Sequence, residues 1–421
     1  PRLDSSAASD VYKRQLGDNG INVRAIAQGS SELNISLVVA KRDQAAAVVA
    51  IHDAFFAEPT HVETINERIP TAVLGATGSV GQRMVSLLAD HPWFDVVELV
   101  ASERSAGRSY RDAAHWLLSS PMPAAVADLE VVPLHADLRS PLALSALDAD
   151  VAGPAEDRLA RAGHLVVSNA KSHRMRSDVP LLIPEVNPDH LQLINEQAFD
   201  GGAIVTNPNC STIGLVLALK PLHDAFGVEK VHVVTMQAIS GAGFPGISSL
   251  QVMDNLIPFI SGEEEKLESE TRKILGRLEG GRIRESEITI SAQCTRVPVL
   301  DGHTECISVK LGRPATEEEI IEVWEGFRAA PQWLDLPSAP LRPIIYDRSE
   351  SAPQPRIHRD AGSGMAVTIG RLRPCTLFDF KFVALSHNTI RGAAGGSLLA
   401  AEMAVGQRVL PSLAPPASPK D

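Results

Sequence analysis

The segment Val73-Leu74-Gly75-Ala76-Thr77-Gly78-Ser79-Val80-Gly81 sets three glycines three residues apart where an apolar run gives way to an amphipathic one. The pattern predicts a strand at 71–74, a glycine turn and a helix over 80–89. Gly75 permits the tight turn. Gly78 lets the backbone approach a pyrophosphate at the helix N-terminus, and Gly81 lets the helix pack on the strand. Thr77, Ser79 and Val80 belong to the same candidate cofactor cradle. The spacing is GxxGxxG rather than GxGxxG, so a purely structural glycine turn is the alternative. The strand–turn–helix context favours the cofactor.

The alternation continues downstream, with strands expected at 96–101, within 140–147, at 165–168 and at 203–206, and a short helix at 155–162. Strands alternating with helices predict a parallel sheet. From about Val231 the strands lengthen and the connections grow, as in a second domain with a mixed sheet. An Ala/Gly-rich helix over 390–409 is expected to return to the first domain. The fold class is α/β: a Rossmann-like dinucleotide-binding domain over 69–206, completed by 386–410, and an α+β domain over 207–385. Upstream, residues 1–15 begin without Met, show no apolar periodicity and read as a cloning or assembly scar. Residues 16–57 read as a helix fragment ending at Gly20-Ile21-Asn22, strands at 23–27 and 34–39, and a helix over 43–56. Residues 58–68 read as a polar linker, and the Pro-rich tail 411–421 as disordered.

The formal net charge of -12 argues against nucleic acid and anionic membranes as partners, since both attract basic surfaces. No run of about 18 apolar residues predicts a membrane span. Of the four cysteines, Cys210, Cys294, Cys306 and Cys375, none forms a CxxC pair, and no metal-spaced ligand cluster is visible. Free thiols and no secretory signal make cytoplasm the expectation.

The second strand ends in Ser102-Glu103-Arg104-Ser105-Ala106-Gly107-Arg108. Sites that prefer NAD usually place one acid there, on the ribose 2′-hydroxyl. Here Ser102, Arg104 and Ser105 offer a pocket for a 2′-phosphate, which favours NADP; Glu103 facing the ribose is the opposing reading. Farther on, Thr206-Asn207-Pro208-Asn209-Cys210-Ser211-Thr212 joins the strand at 203–206 to a helix expected over 212–218. A cysteine at a helix N-terminus is favoured as thiolate, and the free backbone N–H groups there can hold an oxyanion. A lone cysteine is more often a small buried hydrophobe, which is the reading given to the other three.

The phrases 75–81, 102–107, Ser168-Asn169-Ala170-Lys171, 207–211 and 296–305 together resemble aspartate-semialdehyde dehydrogenases. His173-Arg174-Met175 and Asp301-Gly302-His303 fit the fungal and archaeal branch. The resemblance runs over about 69–409, in order and without a large gap. It implies that 69–206 binds NADP and that 207–385 is a catalytic and dimerisation domain. It also implies that Cys210 forms a thioester and that Asn209 helps hold the substrate and the oxyanion. Gln237 would orient the substrate, and Ser240, Gly241 and Asn388 would lie near the nicotinamide. His303 would be the general acid/base for Cys210. His164, His173 and His387 compete with it; the Arg-x6-His spacing from Arg296 and the resemblance single it out. Arg296 would clamp the substrate α-carboxylate. Glu263 and Lys266 lie one helical turn apart in the substrate site, and the carboxylate there would hold the ammonium group, unless that acidic run is a solvated helix face. Lys171 and Arg174 would hold the phosphoryl group, unless they form a surface basic pair.

The implied reaction is the NADPH-dependent reductive dephosphorylation of L-aspartyl 4-phosphate to L-aspartate 4-semialdehyde, with release of phosphate, on the route to lysine, threonine, methionine and isoleucine. A homodimer or a dimer of dimers is implied, and no metal. The alternative is a related thioester-forming reductase acting on malonyl-CoA or N-acetyl-glutamyl phosphate. Arg296 with Glu263 discriminates, since a substrate bearing both α-amino and α-carboxyl groups needs both. The Ser-Cys-Thr-Thr-Asn phrase of glyceraldehyde-phosphate dehydrogenases is absent. Separately, residues 16–57 resemble a truncated ACT domain like the last one of aspartokinases, with Asn22 and Gln28 at ligand-facing positions. Aspartokinase makes the acyl phosphate that such a reductase consumes, so a fusion is plausible; a kinase-like reading frame directly upstream in the source DNA would support it. A non-catalytic effector-binding protein is the reading from another class, and it predicts a broken nucleophile or cofactor turn.

Overall fold

The structure, a computed structural model, describes residues 68–410 and Leu413, together with the backbone of two upstream strands. The chain divides into two units, Pro1–Thr64 and Ile65–Asp421. In the first, β1 (Val23–Gln28) and β2 (Ile35–Val39) pair antiparallel, close to the two strands expected there. The 1–15 segment, the helix fragment ending at Asn22, the helix over 43–56, all of the linker but Arg68, and nearly all of the tail lie outside the described residues.

The second unit opens on β3 (Ile69–Leu74), the turn, and helix α1 (Ser79–Leu88). With β4 (Phe94–Ala101), β5 (Val131–Pro133), β6 (Leu142–Ser145), β7 (Leu165–Ser168) and β8 (Ala203–Thr206) it forms a six-stranded sheet in the order β5-β4-β3-β6-β7-β8. All pairs are parallel. The strands β6, β7 and β8 are buried at every residue, as near-continuous apolar runs must be when both faces are covered. Chain order reverses at β3, so a crevice opens between the carboxyl ends of β3 and β6, where ligands bind in such sheets. Helix α2 (Ala149–Arg161) starts earlier than the sequence suggested, because it continues through Pro154.

Two glycines of the turn are required by the fold itself. Gly75 has φ +74°, and a Cβ there would lie 2.6 Å from Ala146 O; a Cβ at Gly81 would lie 2.2 Å from Gly75 O. At Gly78 the nearest atom would be Gly75 O at 3.4 Å, so the protein leaves that side of the turn open.

The nucleophile-bearing helix α3 (Cys210–Phe226) is longer than the expected 212–218, since it starts at its Asn209 cap and accommodates Pro221. It is apolar on nearly every side, and it lies over a second sheet. That sheet contains β9 (Val228–Gln237), and β12 (Thr289–Arg296), β13 (His303–Leu311), β14 (Ile344–Asp347), β15 (Val367–Pro374) and β16 (Phe380–Ser386), which follow a small hairpin of β10 (Arg277–Glu279) and β11 (Arg282–Arg284). The order β12-β9-β13-β16-β15-β14 is mixed, as expected. Ile213, Val216 and Leu217 of α3 share one core with Val233, Ile307 and Phe382 of the sheet, and Trp324 closes it by donating to Ala218 O at 2.9 Å. Helix α4 (Glu263–Ile274) packs beside α3.

The expected C-terminal helix is two pieces: a π turn over Ile390–Ala394, then α5 (Gly395–Gly406), which packs on α1 and β7 of the first sheet. The π turn is fixed by Arg391, whose Nη1 and Nη2 donate to the two carboxylate oxygens of Glu185 at 2.7 and 2.5 Å, with both side chains buried. Breaking one half of such a pair strands a charge in the interior, whereas the attraction itself does little more than offset desolvation. Arg391→Met is therefore expected to lose about 3–5 kcal/mol in urea unfolding, and Arg391→Met with Glu185→Leu to lose distinctly less.

Candidate active site

Cys210 is the first residue of α3, and its Sγ stands 3.2 Å from Nε2 of His303 at the start of β13. Of the four histidines that competed for the role, His303 is the one whose ring meets the sulfur. His164 bonds Ser140 O, His173 lies 3.4 Å from Glu156, and His387 3.7 Å from Asp360. The backbone N–H of Ala238 donates to His303 Nδ1 at 3.0 Å. A backbone N–H can only donate, so Nδ1 must be an acceptor and the neutral ring carries its proton on Nε2, facing the sulfur. Burial, with Arg296 and His387 nearby, holds His303 down to about 3. Burial pushes the Cys210 thiol up to about 12, and Glu263 adds to this against the opposing pull of Arg174 and Arg296. The resting pair is thus a neutral thiol beside a neutral imidazole.

That corrects the expectation of a resting thiolate stabilised by free N–H groups. Burial is the main cause; two helix-start donors are also shared with the cap, since Asn209 Oδ1 accepts from Ser211 N at 2.9 Å and Thr212 N at 3.2 Å, although the Ser211 N–H still draws the thiol down. The Cys210 N–H is the helix-start donor left outside the cap. Asn209 is also held from below, with its N–H donating to Glu270 Oε2 and its Nδ2 to Glu263 Oε1, each at 2.7 Å.

Arg296 ends β12 and His303 begins β13, and Ala238 ties them together: Arg296 Nη1 donates to Ala238 O at 2.7 Å. A Cβ at Gly241 would lie 2.8 Å from that Nη1 and 3.2 Å from the His303 ring, so a larger residue there would push against both. Arg296 Nε is buried with no partner among the described residues. Gln237 is buried and donates to Thr235 Oγ1 at 3.3 Å. The acidic run on α4 is not a solvated face: Glu263 is buried, and its Oε2 meets Lys266 Nζ at 3.0 Å. Arg174, also buried, is no surface residue; it pairs with Glu270 Oε1 at 2.9 Å and donates to Asn169 O. Lys171 is exposed, and its ammonium makes no hydrogen bond or ion pair with a described residue.

At the other end of the crevice, the carbonyls of the glycine turn are consumed. Ala76 O accepts from Tyr110 Oη at 2.7 Å and Thr77 O from Gln82 Nε2 at 2.9 Å. Helix α1 has Gly78 as N-cap and no side-chain cap, so its first-turn N–H groups point out unpaired. After β4, Ser102, Arg104 and Ser105 form an exposed turn in which Ser105 N donates to Ser102 O. Glu103 turns to His135, 3.0 Å away. Asn388 Nδ2 donates to Ser240 Oγ, and its Oδ1 accepts from Gly302 N, both at 2.8 Å. A cleft of about 360 Å³ runs between the glycine-turn helix and this end, lined by Ser79, Arg83, Ser240, Asp301 and Thr389 among others. A larger hollow of about 760 Å³ near His91, Pro340 and Met365 is lined by none of the candidate residues.

The first sheet and its α1 segment match a family model for the NAD-binding domain of semialdehyde dehydrogenases over residues 70–194, and the second sheet matches the dimerisation-domain model of the same family over 219–391. Residues 13–55 match an ACT-domain model. An aspartate-semialdehyde dehydrogenase from Archaeoglobus fulgidus is 47% identical over 349 residues, covering 82% of this chain and 100% of the relative. One from Schizosaccharomyces pombe is 48% identical over 346 residues, covering 79% and 97%.

The chain belongs to the aspartate-semialdehyde dehydrogenase family.

A crystal structure of the Candida albicans aspartate-semialdehyde dehydrogenase with NADP superposes with a TM-score of 0.76 at 43% identity, covering 82% of this chain and 100% of that one. Residues with no sequence signal complete the site of this family member. Glu270 and Lys273 on α4 are buried, and Lys273 donates to the carbonyls of Arg174, Arg176 and Val179 at 2.6–2.9 Å. Glu305 is buried two residues beyond His303 with neither oxygen hydrogen-bonded, and burial raises it well above the usual carboxylate range. Gly392 abuts Cys210: a Cβ there would lie 2.7 Å from Cys210 Cβ. Among the described residues no helix is long and apolar enough to cross a membrane, and no cluster of metal-binding side chains occurs.

The raised thiol has a kinetic consequence. Only thiolate reacts with iodoacetamide. In the ligand-free protein the alkylation rate of Cys210 is expected to rise about tenfold per pH unit from 7 to 10 without levelling. A plateau near neutrality would mean a thiolate–imidazolium pair instead.

Proposed function

We propose that the chain catalyses the NADPH-dependent reductive dephosphorylation of L-aspartyl 4-phosphate to L-aspartate 4-semialdehyde through a thioester on Cys210. The observation that carries the reading is the 3.2 Å contact of Cys210 Sγ with His303 Nε2, at a helix start surrounded by Arg174, Arg296 and Glu263.

Sγ attacks the acyl carbon; the C–S bond forms, the bond to the phosphate oxygen breaks, and the thiol proton leaves with hydrogen phosphate. His303 relays it: Nε2 gives its own proton to the departing phosphate oxygen and takes the thiol proton in its place, so the ring is neutral before and after and keeps the Ala238 hydrogen bond. When bound, NADPH supplies the hydride that takes the thioester to the aldehyde level. Collapse of the hemithioacetal on Cys210 then breaks the C–S bond and returns the sulfur, which takes up a proton. The Cys210 N–H faces the oxyanion of both stages.

Arg296 has spent Nη1 on Ala238, so its Nε–Nη2 edge is the one offered to the substrate α-carboxylate. Glu263, already shared between Asn209 and Lys266, holds the ammonium group, and Gln237 orients the chain between them. Arg174 and the exposed Lys171 receive the phosphoryl group. For NADP, the open N–H groups after Gly78 fit a phosphate, and Ser102, Arg104 and Ser105 fit the 2′-phosphate once Glu103 has turned to His135. Asn388, Ser240 and Gly241 hold the nicotinamide end. Biosynthesis of the aspartate-derived amino acids is the context. A homodimer or dimer of dimers built on the second sheet is part of the reading, as is a cytoplasmic location for an enzyme with free cysteines.

Phosphate-dependent reduction of NADP by L-aspartate semialdehyde tests the proposal. The wild-type chain is expected to be active and Cys210→Ala to lose about 10⁴-fold or more. NADP binding without this activity would redirect the assignment to malonyl-CoA or N-acetyl-glutamyl phosphate; activity surviving in the variant would end the thioester mechanism. Arg296→Lys, which keeps the charge and loses the fork, is expected to raise the KM for the semialdehyde about tenfold or more with a smaller change in kcat.

A further inference from the structure

Arg83 is a charged residue that the candidate roles above leave unused. It sits on α1 one turn beyond Ser79, and both side chains line the cleft that leads from the glycine turn to Ser240 and Thr389. Its Nε is buried without a hydrogen-bond partner, and its guanidinium makes no ion pair with a described residue. The residue is half-buried, and a buried guanidinium nitrogen without an acceptor is rarely left so.

The electrostatics of the cleft say what is missing. Among the residues that line it, Arg83 is the only cation and Asp301 the only acid; most of the rest are apolar, among them Leu117, Leu118 and Ile247. The start of α1 offers a pyrophosphate roughly half a positive charge. A pyrophosphate brings about two negative ones, and Asp301 adds a third to the same cleft. The helix start alone therefore leaves the anion undercompensated. Arg83 stands about 6 Å farther along the helix axis, one turn at 1.5 Å per residue. It shares the cleft with Ser240, which accepts from Asn388.

We propose that Arg83 is a further cofactor-binding residue, which pairs with the phosphate on the nicotinamide side of the dinucleotide and offsets Asp301. The inference rests on the NADP reading above. It divides the work along one helix: the N–H groups after Gly78 take the adenosine-side phosphate, and Arg83 takes the other.

Binding to the full chain can test it without turnover. NADPH is titrated by its fluorescence, and adenosine 2′,5′-bisphosphate, which lacks the nicotinamide-side phosphate, by calorimetry. Arg83→Met keeps the stem and removes the charge. It is expected to weaken NADPH about tenfold, and to leave the bisphosphate within twofold of wild type, which also reports an intact fold. Arg83→Lys is expected to regain part of the NADPH affinity, and it carries the test alone if the methionine variant does not fold. Unchanged NADPH affinity, an equal loss for both ligands, or no regain with lysine overturns the proposal. A wild-type chain that binds neither ligand overturns the NADP reading, and this inference with it.

Discussion

Asn209 uses all of its backbone and side-chain polar groups at once, and the geometry of the site follows from that. Its Oδ1 caps α3, its carbonyl accepts from Ile213 N, its N–H reaches Glu270 and its Nδ2 reaches Glu263. A capping side chain is worth about 1 kcal/mol, and hydrogen bonds to a carboxylate about 1.5–3 kcal/mol each. The larger part of the hold therefore comes from α4, not from the helix start itself. Glu270 extends the hold, since its second oxygen binds Arg174. One buried carboxylate thus sets the distance between the nucleophile and an arginine from a different part of the chain.

The two helix starts in the site are built for opposite ends. At α3 the first N–H groups are filled by Asn209, so the helix is finished and Cys210 is fixed as its first residue. At α1 the cap is Gly78, with no side chain to offer, and the carbonyls of the turn are drawn away by Tyr110 and Gln82. Gln82 donates also to His115 O and accepts from Leu117 N, so one side chain ties the turn to the wall of the cleft. An unfilled helix start is an anion site; a filled one is a rigid mount.

What the sequence made legible was short in range. The glycine turn, Cys210 at a strand–helix junction and Arg296 seven residues before His303 are local patterns, and β9–β16 with α3 bring them together. The alternation of elements was enough for the parallel sheet and its mixed neighbour. The missing pieces are partners that meet only in the folded chain: Glu185 and Arg391 are 206 residues apart, and Lys273 and Arg174 are 99 apart. Nothing in the sequence around Glu263 and Glu270 distinguishes them from solvated acids, because helical spacing is the same for both. The length of α3 was underestimated because Pro221 and the polar residues near its end mask a helix that burial sustains. The thiolate expectation ran against burial, which raises the thiol and which no local pattern around Cys210 shows.

The charges around Cys210 argue for the kind of substrate that fits. Glu263 is paired with Lys266 and Glu270 with Arg174, and the thiol and imidazole are neutral. Arg296 is the exception, a buried guanidinium that has no carboxylate partner among the described residues; burial lowers its hold on the proton. An unpaired charge in the interior costs several kcal/mol, and a carboxylate delivered to its free edge recovers much of that. A substrate with an α-carboxylate beside its reacting acyl group would supply that charge. An acyl group without a carboxylate would leave Arg296 as it is. The selection is exerted by what the site lacks, and it falls on a carboxylate close to the reacting acyl group.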